Sequence, residues 1–168
     1  MYMRTIILTG MMGAGKSVVG NAIANKLSCK FFDLDEVIKS KENMSISDIF
    51  KNYGEKYFRD CEYKILEQIF KPENLVISLG GGAFENENIR DMVLNIADVI
   101  YLKTSPQVIY ERIKNDTSRP LLKDNMSIDS IEELLNNREK NYKLATYTVI
   151  TDNKSMEDVA LEIIKCVC

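Results

Sequence analysis

Residues 10–17 read GMMGAGKS and fit the pattern G-x-x-x-x-G-K-[ST], which is typical of a loop that binds phosphate groups. The three glycines allow the backbone to curl so that several N–H groups converge on one anion. In this pattern Lys16 reaches the β- and γ-phosphates of a nucleotide, and the Ser17 hydroxyl binds Mg²⁺. The alternative interpretation is an ordinary glycine-rich turn between two secondary-structure elements.

The sequence on both sides of this loop favours phosphate binding. Residues 5–9 (TIILT) form an apolar run that predicts a buried strand leading into the loop. A helix after the loop would direct the positive end of its dipole towards the bound phosphates. Its apolar face is predicted from helical spacing to consist of Val18, Val19, Ala22, Ile23 and Leu27.

Two carboxylates follow the next predicted strand. Residues 30–35 read KFFDLD, and in an extended chain Asp33 and Asp35 would point to the same side. Since the carboxyl ends of parallel strands line the ligand crevice, both groups are suited to bind Mg²⁺ or a substrate hydroxyl. The alternative is an acidic start to a helix, because Glu36 continues the run and helix N-termini favour acidic residues.

A long helix is predicted from residue 46, after a capping sequence at residues 45–48 (SISD). Gly54 weakens the middle of this helix and can divide it in two. Arg59 and Glu62 lie one turn apart, so they form either a surface ion pair or an anion clamp oriented by Glu62. The predicted apolar stripe consists of Ile46, Ile49, Phe50, Tyr53, Tyr57, Cys61, Ile65 and Ile69.

A second glycine-rich stretch, Gly80, Gly81 and Gly82, follows a predicted central strand at residues 75–79 (LVISL). Three residues without side chains allow a ligand to touch the backbone directly. The alternative is a flexible turn. This strand does not end in the Asp that often binds the metal beside a phosphate loop, so Asp33 is the candidate for that position.

Two arginines in the second half of the chain are further candidates. Arg119 lies in a polar, turn-prone stretch at residues 115–126 that is predicted to be a lid, from which it could swing over the phosphates or remain in solvent. Arg138 lies on the apolar stripe of a helix predicted at residues 127–145. A charge on the core-facing side requires a buried carboxylate or an anionic ligand. The stripe consists of Ile131, Leu134, Leu135 and Tyr142.

Strands and helices alternate along all 168 residues, which predicts one α/β domain (1–168) with a mainly parallel sheet. The chain has no histidine, so histidine bases, metal ligands and triads are excluded. A net charge of −3 argues against a general role on nucleic acid or membrane surfaces. Four cysteines without zinc spacing, no signal peptide and no membrane span favour a cytoplasmic protein with reduced thiols, which we expect to be a monomer.

Taken together, these motifs resemble the shikimate kinase family. They occur in the family's order and span nearly the whole chain. The motifs are the phosphate loop, the Asp pair, FRxxE at 58–62, GGG at 80–82, RPLL at 119–122, and Arg138 with Tyr142. The phosphate loop alone is common to many ATPases, whereas the combination is specific. The resemblance implies a three-layer α/β/α fold of the nucleoside monophosphate kinase type, with a five-stranded parallel sheet and a mobile lid.

The resemblance also implies a reaction and its participants. The γ-phosphoryl group of ATP would pass to the 3-hydroxyl of shikimate, in the pathway to the aromatic amino acids, with Mg²⁺ as cofactor. The implied contacts with ATP are made by Gly13, Ala14, Gly15, Lys16, Ser17, Val18 and Arg119. The implied contacts with shikimate are made by Asp35, Arg59, Gly80, Gly81, Gly82 and Arg138.

Within these sets the resemblance assigns individual roles. Asp35, Lys16 and Arg119 would be catalytic, with Asp35 accepting the proton or orienting the attacking hydroxyl. Ser17 and Asp33 would hold Mg²⁺. Family members often carry a basic residue near the adenine, in the loop before the last helix, and Lys154 is the candidate for that position.

Other functions remain open from the residues alone. A gluconate or nucleoside monophosphate kinase would share the fold, and a sugar acid could also use Arg59 and Arg138. A GTP-dependent switch usually carries Asn-Lys-x-Asp, whereas both Asn-Lys pairs here, at residues 25–28 and 153–156, lack the final Asp. A catalytically silent partner of the pathway is the third alternative, although every expected catalytic position is filled.

Overall fold

The fold is built on one sheet of five parallel strands. The computed structural model describes residues 3–71, 73–114 and 127–167. The strands are β1 (Thr5–Thr9), β2 (Lys30–Asp33), β3 (Leu75–Ser78), β4 (Ala97–Lys103) and β5 (Tyr147–Ile150). Their order across the sheet is β2-β3-β1-β4-β5, and all four pairings are parallel. The sheet agrees with the prediction, and β1 lies at its centre.

Helices connect the strands. In the described part of the chain they are α1 (Lys16–Leu27), α2 (Leu34–Glu42), α3 (Ile46–Ile69), α4 (Glu87–Leu94), α5 (Pro106–Ile113), α6 (Ile128–Tyr142) and α7 (Met156–Val167). Side-chain caps fix several starting points: Asn86 caps α4, Ser105 caps α5 just before Pro106, and Ser127 caps α6. In these same ranges, no helix combines the length and the apolar character needed to cross a membrane.

Alternating side chains divide the core between the two faces of the sheet. In β1, Ile6 and Leu8 pack on one face, where they meet α1 and α7, while Ile7 packs on the other. The second face is covered by α2, α3, α4, α5 and α6, which bury side chains such as Ile38 and Leu66 against it. This arrangement confirms the predicted three-layer α/β/α architecture.

The predicted apolar face of α1 is wrong at its first residue. Val18 is 60% exposed, and the buried residues are Val19, Gly20, Ile23 and Ala24. The reason is that α1 begins at the phosphate loop, so its first turn lies against the ligand cavity rather than against the sheet. Val18 lines that cavity.

The predicted stripe of α3 is wrong in its middle, where Tyr53 and Tyr57 are exposed while Phe58 and Leu66 are buried. Gly54 has φ 81° and ψ 174°, which divides the helix as the sequence suggested it could. The break rotates the second half relative to the first, so a single helical period does not apply across residue 54.

Candidate active site

A cavity of about 490 Å³ lies at the carboxyl ends of the strands, where parallel α/β sheets bind ligands. It brings together nearly all the candidate residues of the described chain. Ala14 is an exception, because it is fully buried behind the loop. Arg119 and the predicted lid at 115–126 lie outside the described residues. The candidates that line the cavity are Gly13, Gly15, Lys16, Ser17, Val18, Asp33, Asp35, Arg59, Gly80, Gly81, Gly82 and Arg138.

The phosphate loop wraps around the N-terminus of α1. Gly15 caps the helix at φ 95°, a left-handed conformation that favours glycine. The Lys16 ammonium group donates hydrogen bonds to the carbonyls of Gly10 (2.8 Å) and Met11 (2.9 Å), so its side chain lies along the loop. The loop therefore presents a helix N-terminus and an ammonium group to the same end of the cavity.

Arg112 is a basic residue at this end that sequence reasoning missed. Its Nη1 atom donates a hydrogen bond to the carbonyl of Gly13 at 3.1 Å. This contact depends on the packing of α5 against the loop, where Ile113 lies so close to Gly13 that an added Cβ atom would be 2.7 Å from its side chain. No short-range pattern in the sequence signals such a contact between residues 13 and 112.

Asp33 caps the helix that follows it and also faces the phosphate loop. Its Oδ1 atom caps α2 by accepting hydrogen bonds from the backbone N–H groups of Asp35 (3.1 Å) and Glu36 (3.3 Å). Its Oδ2 atom accepts hydrogen bonds from the hydroxyls of Ser17 and Ser78, the latter at 2.9 Å. The carboxylate thus faces the phosphate loop, as expected of a metal candidate.

The geometric argument that paired the two aspartates is nevertheless wrong. The chain is not extended from Asp33 to Asp35, because β2 ends at Asp33 and α2 begins at Leu34. Asp35 reaches the cavity from the first turn of α2 instead. Ser78, missed by the sequence analysis, ends β3 at the position where an Asp was sought, and β-pairing places it opposite Asp33.

The pair of Arg59 and Glu62 is a partly buried ion pair, with a buried carboxylate and a half-buried guanidinium group, and not a surface one. Arg59 Nη1 lies 2.6 Å from Glu62 Oε2, and the Glu62 side chain is fully buried. The exposed carboxylate of Glu55 accepts from Arg59 Nε (3.3 Å) and Nη2 (3.1 Å). The guanidinium group is therefore fixed in orientation by two carboxylates while it lines the cavity.

The triple glycine is required by the charged side chains that pack against it. A Cβ atom at Gly80 would lie 2.7 Å from both Asp35 Oδ1 and Glu62 Oε1. At Gly82 it would lie 2.5 Å from Arg59 Nη2. These distances are shorter than normal contacts, so side chains at either position would displace the groups at this end of the cavity.

Arg138 is buried, as predicted from its place on the apolar stripe of α6, with 7% of its surface exposed. It donates to the carbonyl of Gly81 at 3.1 Å, and the hydroxyl of the buried Tyr142 donates to the same carbonyl. Among the described residues no carboxylate lies within ion-pair distance of Arg138. The positive charge therefore faces the cavity without a counterion from the described chain, which favours an anionic ligand.

Burial raises the pKa of Glu62 to about 7, because desolvation disfavours the charged carboxylate. The guanidinium groups of Arg59 and Arg138 act in the opposite direction, while the charge of Asp35 adds to the increase. A pKa near 7 would bring the charge change of Glu62 into the neutral pH range, within the cavity that this residue helps to line.

The structure also describes the cysteines and Lys154. Cys61 is buried in the α3 core, and Cys29, Cys61 and Cys166 are free thiols. Lys154, the candidate for an adenine contact, forms an ion pair with Glu162 of α7.

Comparison with known proteins agrees with this geometry. Residues 12–168 match the model of the shikimate kinase family. The chain is 42% identical over 96% of its length to a shikimate kinase of Sulfurihydrogenibium, and 43% identical over 96% to one of Persephonella marina; it covers 96% and 98% of those two proteins.

Solved structures give the same result. The structure of shikimate kinase from Acinetobacter baumannii in complex with shikimate superimposes with a TM-score of 0.94 at 32% identity, covering 98% of this chain and 93% of that one. A gluconokinase from Sinorhizobium meliloti shares the fold at a TM-score of 0.59 with 19% identity, over 98% and 93% of the two chains. The sequence, the phosphate loop and the paired arginines all agree with these matches. The chain belongs to the shikimate kinase family, whose members are ATP-dependent kinases.

Proposed function

We propose that this chain transfers the γ-phosphoryl group of ATP to the 3-hydroxyl of shikimate, which yields shikimate 3-phosphate and ADP for the biosynthesis of aromatic amino acids. The observation that carries the proposal is the pair of guanidinium groups, Arg59 and Arg138, on either side of the triple glycine. They lie in one cavity with the phosphate loop and Asp35. An acceptor with a carboxylate and neighbouring hydroxyls matches this distribution of charge.

At the nucleotide end, the backbone of Gly13, Ala14 and Gly15 would receive the phosphates, with Val18 beside them. Lys16 would leave its loop carbonyls and neutralise charge on the β- and γ-phosphates. Mg²⁺ usually binds through one or two protein oxygens plus substrate phosphates, and Ser17 and Asp33 are oxygen donors of this kind.

The hydroxyl of Ser17 and the carboxylate of Asp33 are hard oxygen donors that already lie in contact with each other. They would hold the ion, Ser17 directly and Asp33 through water. A bound Mg²⁺ would supply positive charge that neutralises the phosphates. The Ser78 hydroxyl supports this arrangement, because it keeps Asp33 directed at the loop.

At the acceptor end, Arg59 and Arg138 would bind the carboxylate of shikimate, and the glycine backbone would contact the ring. Asp35 would bind the ring hydroxyls and orient the 3-hydroxyl for in-line attack, accepting its proton as the new bond forms. Phosphoryl transfer needs positioning and charge neutralisation more than covalent chemistry from the protein, and these are the properties of the groups in this cavity.

Two further elements complete the proposal. Arg119, on the lid at 115–126, would cover the phosphates and exclude water, which limits wasteful hydrolysis of ATP. Residues 1–168 would act as a single kinase domain, with the acceptor bound between the sheet and the helices at about 36–70. The free thiols and the use of ATP support a cytoplasmic enzyme, which we propose acts as a monomer.

Acceptor competition tests this function. The purified chain is supplied with ATP and Mg²⁺, and ADP release is measured with shikimate, gluconate and a panel of nucleoside monophosphates. We expect shikimate-dependent turnover and no more than background release with the other acceptors. Turnover with another acceptor and none with shikimate would contradict the proposal, although the fold and the phosphate loop would be unaffected.

A further inference from the structure

Residue 54 is surrounded by enough space for a side chain, so its backbone conformation, and not packing, accounts for the glycine at this position. Its φ of 81° and ψ of 174° fall in a region of backbone space that is essentially restricted to glycine. A Cβ atom added at this position would meet no other atom within 4 Å. The absence of a side chain is thus explained by conformation, in contrast to Gly80 and Gly82, where packing forbids a Cβ atom.

The break at Gly54 brings together aromatic rings that a straight helix would separate. Phe50 and Phe58 are eight residues apart, which in a continuous helix corresponds to about 12 Å along the axis. Their ring centroids lie only 4.8 Å apart. Because both phenylalanines line the cavity, the break determines the shape of the cavity wall at the acceptor end.

The two halves of α3 also carry different parts of the acceptor site. The half before Gly54 supplies Ile46 and Phe50 to the cavity, and the half after it supplies Phe58, Arg59 and Glu62. Glu55, the first residue after the break, holds two of the Arg59 nitrogens. By contrast, the hydrogen bonds described above for Lys16 and Ser17 of the phosphate loop go to Gly10, Met11 and Asp33, none of which lies in α3.

We propose that Gly54 is a positioning residue for the acceptor: its glycine-specific backbone conformation folds the two halves of α3 around the acceptor while leaving the nucleotide end unaffected. This inference rests on the proposed function, since it assigns Arg59 and the phenylalanines to acceptor binding. Gly54 would touch no substrate. It would act by setting the direction of the second half of α3 relative to the first.

The test compares the two mirror-image alanines at residue 54. An L-residue strongly disfavours a positive φ, whereas a D-residue favours it, so the two variants differ in handedness alone. Gly54→Ala is made by mutagenesis. The D-alanine form is assembled by ligating a synthetic peptide at Cys29 and Cys61, which flank the position. Asn52→Ala, on the exposed side of the same helix, is the matched control.

We expect Gly54→Ala to raise the KM for shikimate by about tenfold or more while the KM for ATP stays within about twofold of the wild type. The D-alanine form and Asn52→Ala should resemble the wild type in both constants. A merely structural defect would instead change both KM values together. Such a parallel change, an unchanged KM for shikimate in Gly54→Ala, or equal loss in both mirror-image forms would overturn the inference.

The proposed function is judged separately, from the wild-type chain. Failure of the wild type to phosphorylate shikimate would contradict the function itself. Shikimate turnover by the wild type together with an unaffected Gly54→Ala variant would contradict the role of Gly54 and leave the function intact.

Discussion

The two ends of the cavity are built in different ways. The nucleotide end comes mostly from one stretch of eight residues, whose contacts are made largely by backbone groups and by Lys16 folded over its own loop. The acceptor end is assembled from α2, α3, α6 and the triple glycine, and it depends on buried charges that hold one another in place. Local geometry therefore forms the proposed phosphate site, whereas the proposed acceptor site depends on tertiary packing.

The largest expected effect separates chemistry from binding at the acceptor end. Asp35→Asn preserves the size of the side chain but removes its charge. We expect kcat to fall by about a hundredfold or more, as for loss of a general base, while both substrates still bind. Calorimetric titrations with ATP and shikimate provide the control. A nearly unchanged rate would show that Asp35 is not the proton acceptor.

The next-largest effect is a loss of shikimate affinity, which we expect on substitution of Arg138. Arg138→Ala removes a buried cation whose described partners are a carbonyl and a thioether. Shikimate affinity should fall about a hundredfold, since charge-assisted hydrogen bonds contribute roughly 1.5–3 kcal/mol each. ATP affinity, measured in the same calorimetric series, should change little. Comparable loss of both would mean that the two ends are not independent, and Arg138→Lys should be intermediate.

Gly80→Ala tests whether glycine is required in this stretch because of the side chains that pack against it. The new methyl group would collide with the carboxylates of Asp35 and Glu62, so we expect the KM for shikimate to rise by roughly tenfold. Gly81→Ala is the milder comparison, because its nearest contact is 3.2 Å, to the backbone nitrogen of Met12. Steady-state kinetics for both substrates distinguish the two variants. Equal effects would contradict the packing explanation.

A smaller effect should be visible in stability as a function of pH. The pKa of Glu62 is raised by burial from 4.5 to about 7, so the folded state binds the proton more tightly than the unfolded state. The stabilisation is complete below the unfolded pKa and is lost as the pH rises through the folded value. Between about pH 5 and pH 8, the wild type should lose stability relative to Glu62→Gln by a few kcal/mol at most.

Urea denaturation of both proteins across that range measures the difference. Only the change with pH is diagnostic, because the substitution also alters the contact with Arg59 at every pH. A difference in unfolding free energy that does not vary with pH would show that Glu62 does not titrate in this range.

The smallest expected effect concerns the nucleotide end. Ser78→Ala removes one hydrogen bond to Asp33, so the Mg²⁺ concentration that gives half-maximal activity should rise by a few-fold, as about 1 kcal/mol implies. Shikimate affinity should be unaffected. A change confined to shikimate affinity would contradict the assignment of Ser78 to the nucleotide end of the cavity.

The sequence was sufficient where function follows from local spacing. The phosphate loop, the alternating strands and helices, and the burial of Arg138 follow from motif and periodicity, and the structure confirms them. The break at Gly54 was also visible, because glycine is a poor helix former. Residues whose role is defined by short-range geometry could therefore be named in advance.

The sequence was insufficient where tertiary packing determines which residues contact each other. The contact of Arg112 with Gly13 joins residues far apart in the chain, and Ser78 matters only because β3 lies beside β2. The stripe of α3 was wrong because the periodicity was carried across the break. The relation of Asp33 to Asp35 was wrong because a helix begins between them, which an extended-chain argument does not anticipate.

Asp33 joins the two ends of the cavity through one side chain. One of its oxygens contacts Ser17 in the phosphate loop, and the other caps the helix that carries Asp35. A ligand that displaced Asp33 from Ser17 would also disturb the cap of α2, and by linkage any such effect on affinity would act equally in both directions. The separation of the two ends is therefore expected to be least complete at Asp33.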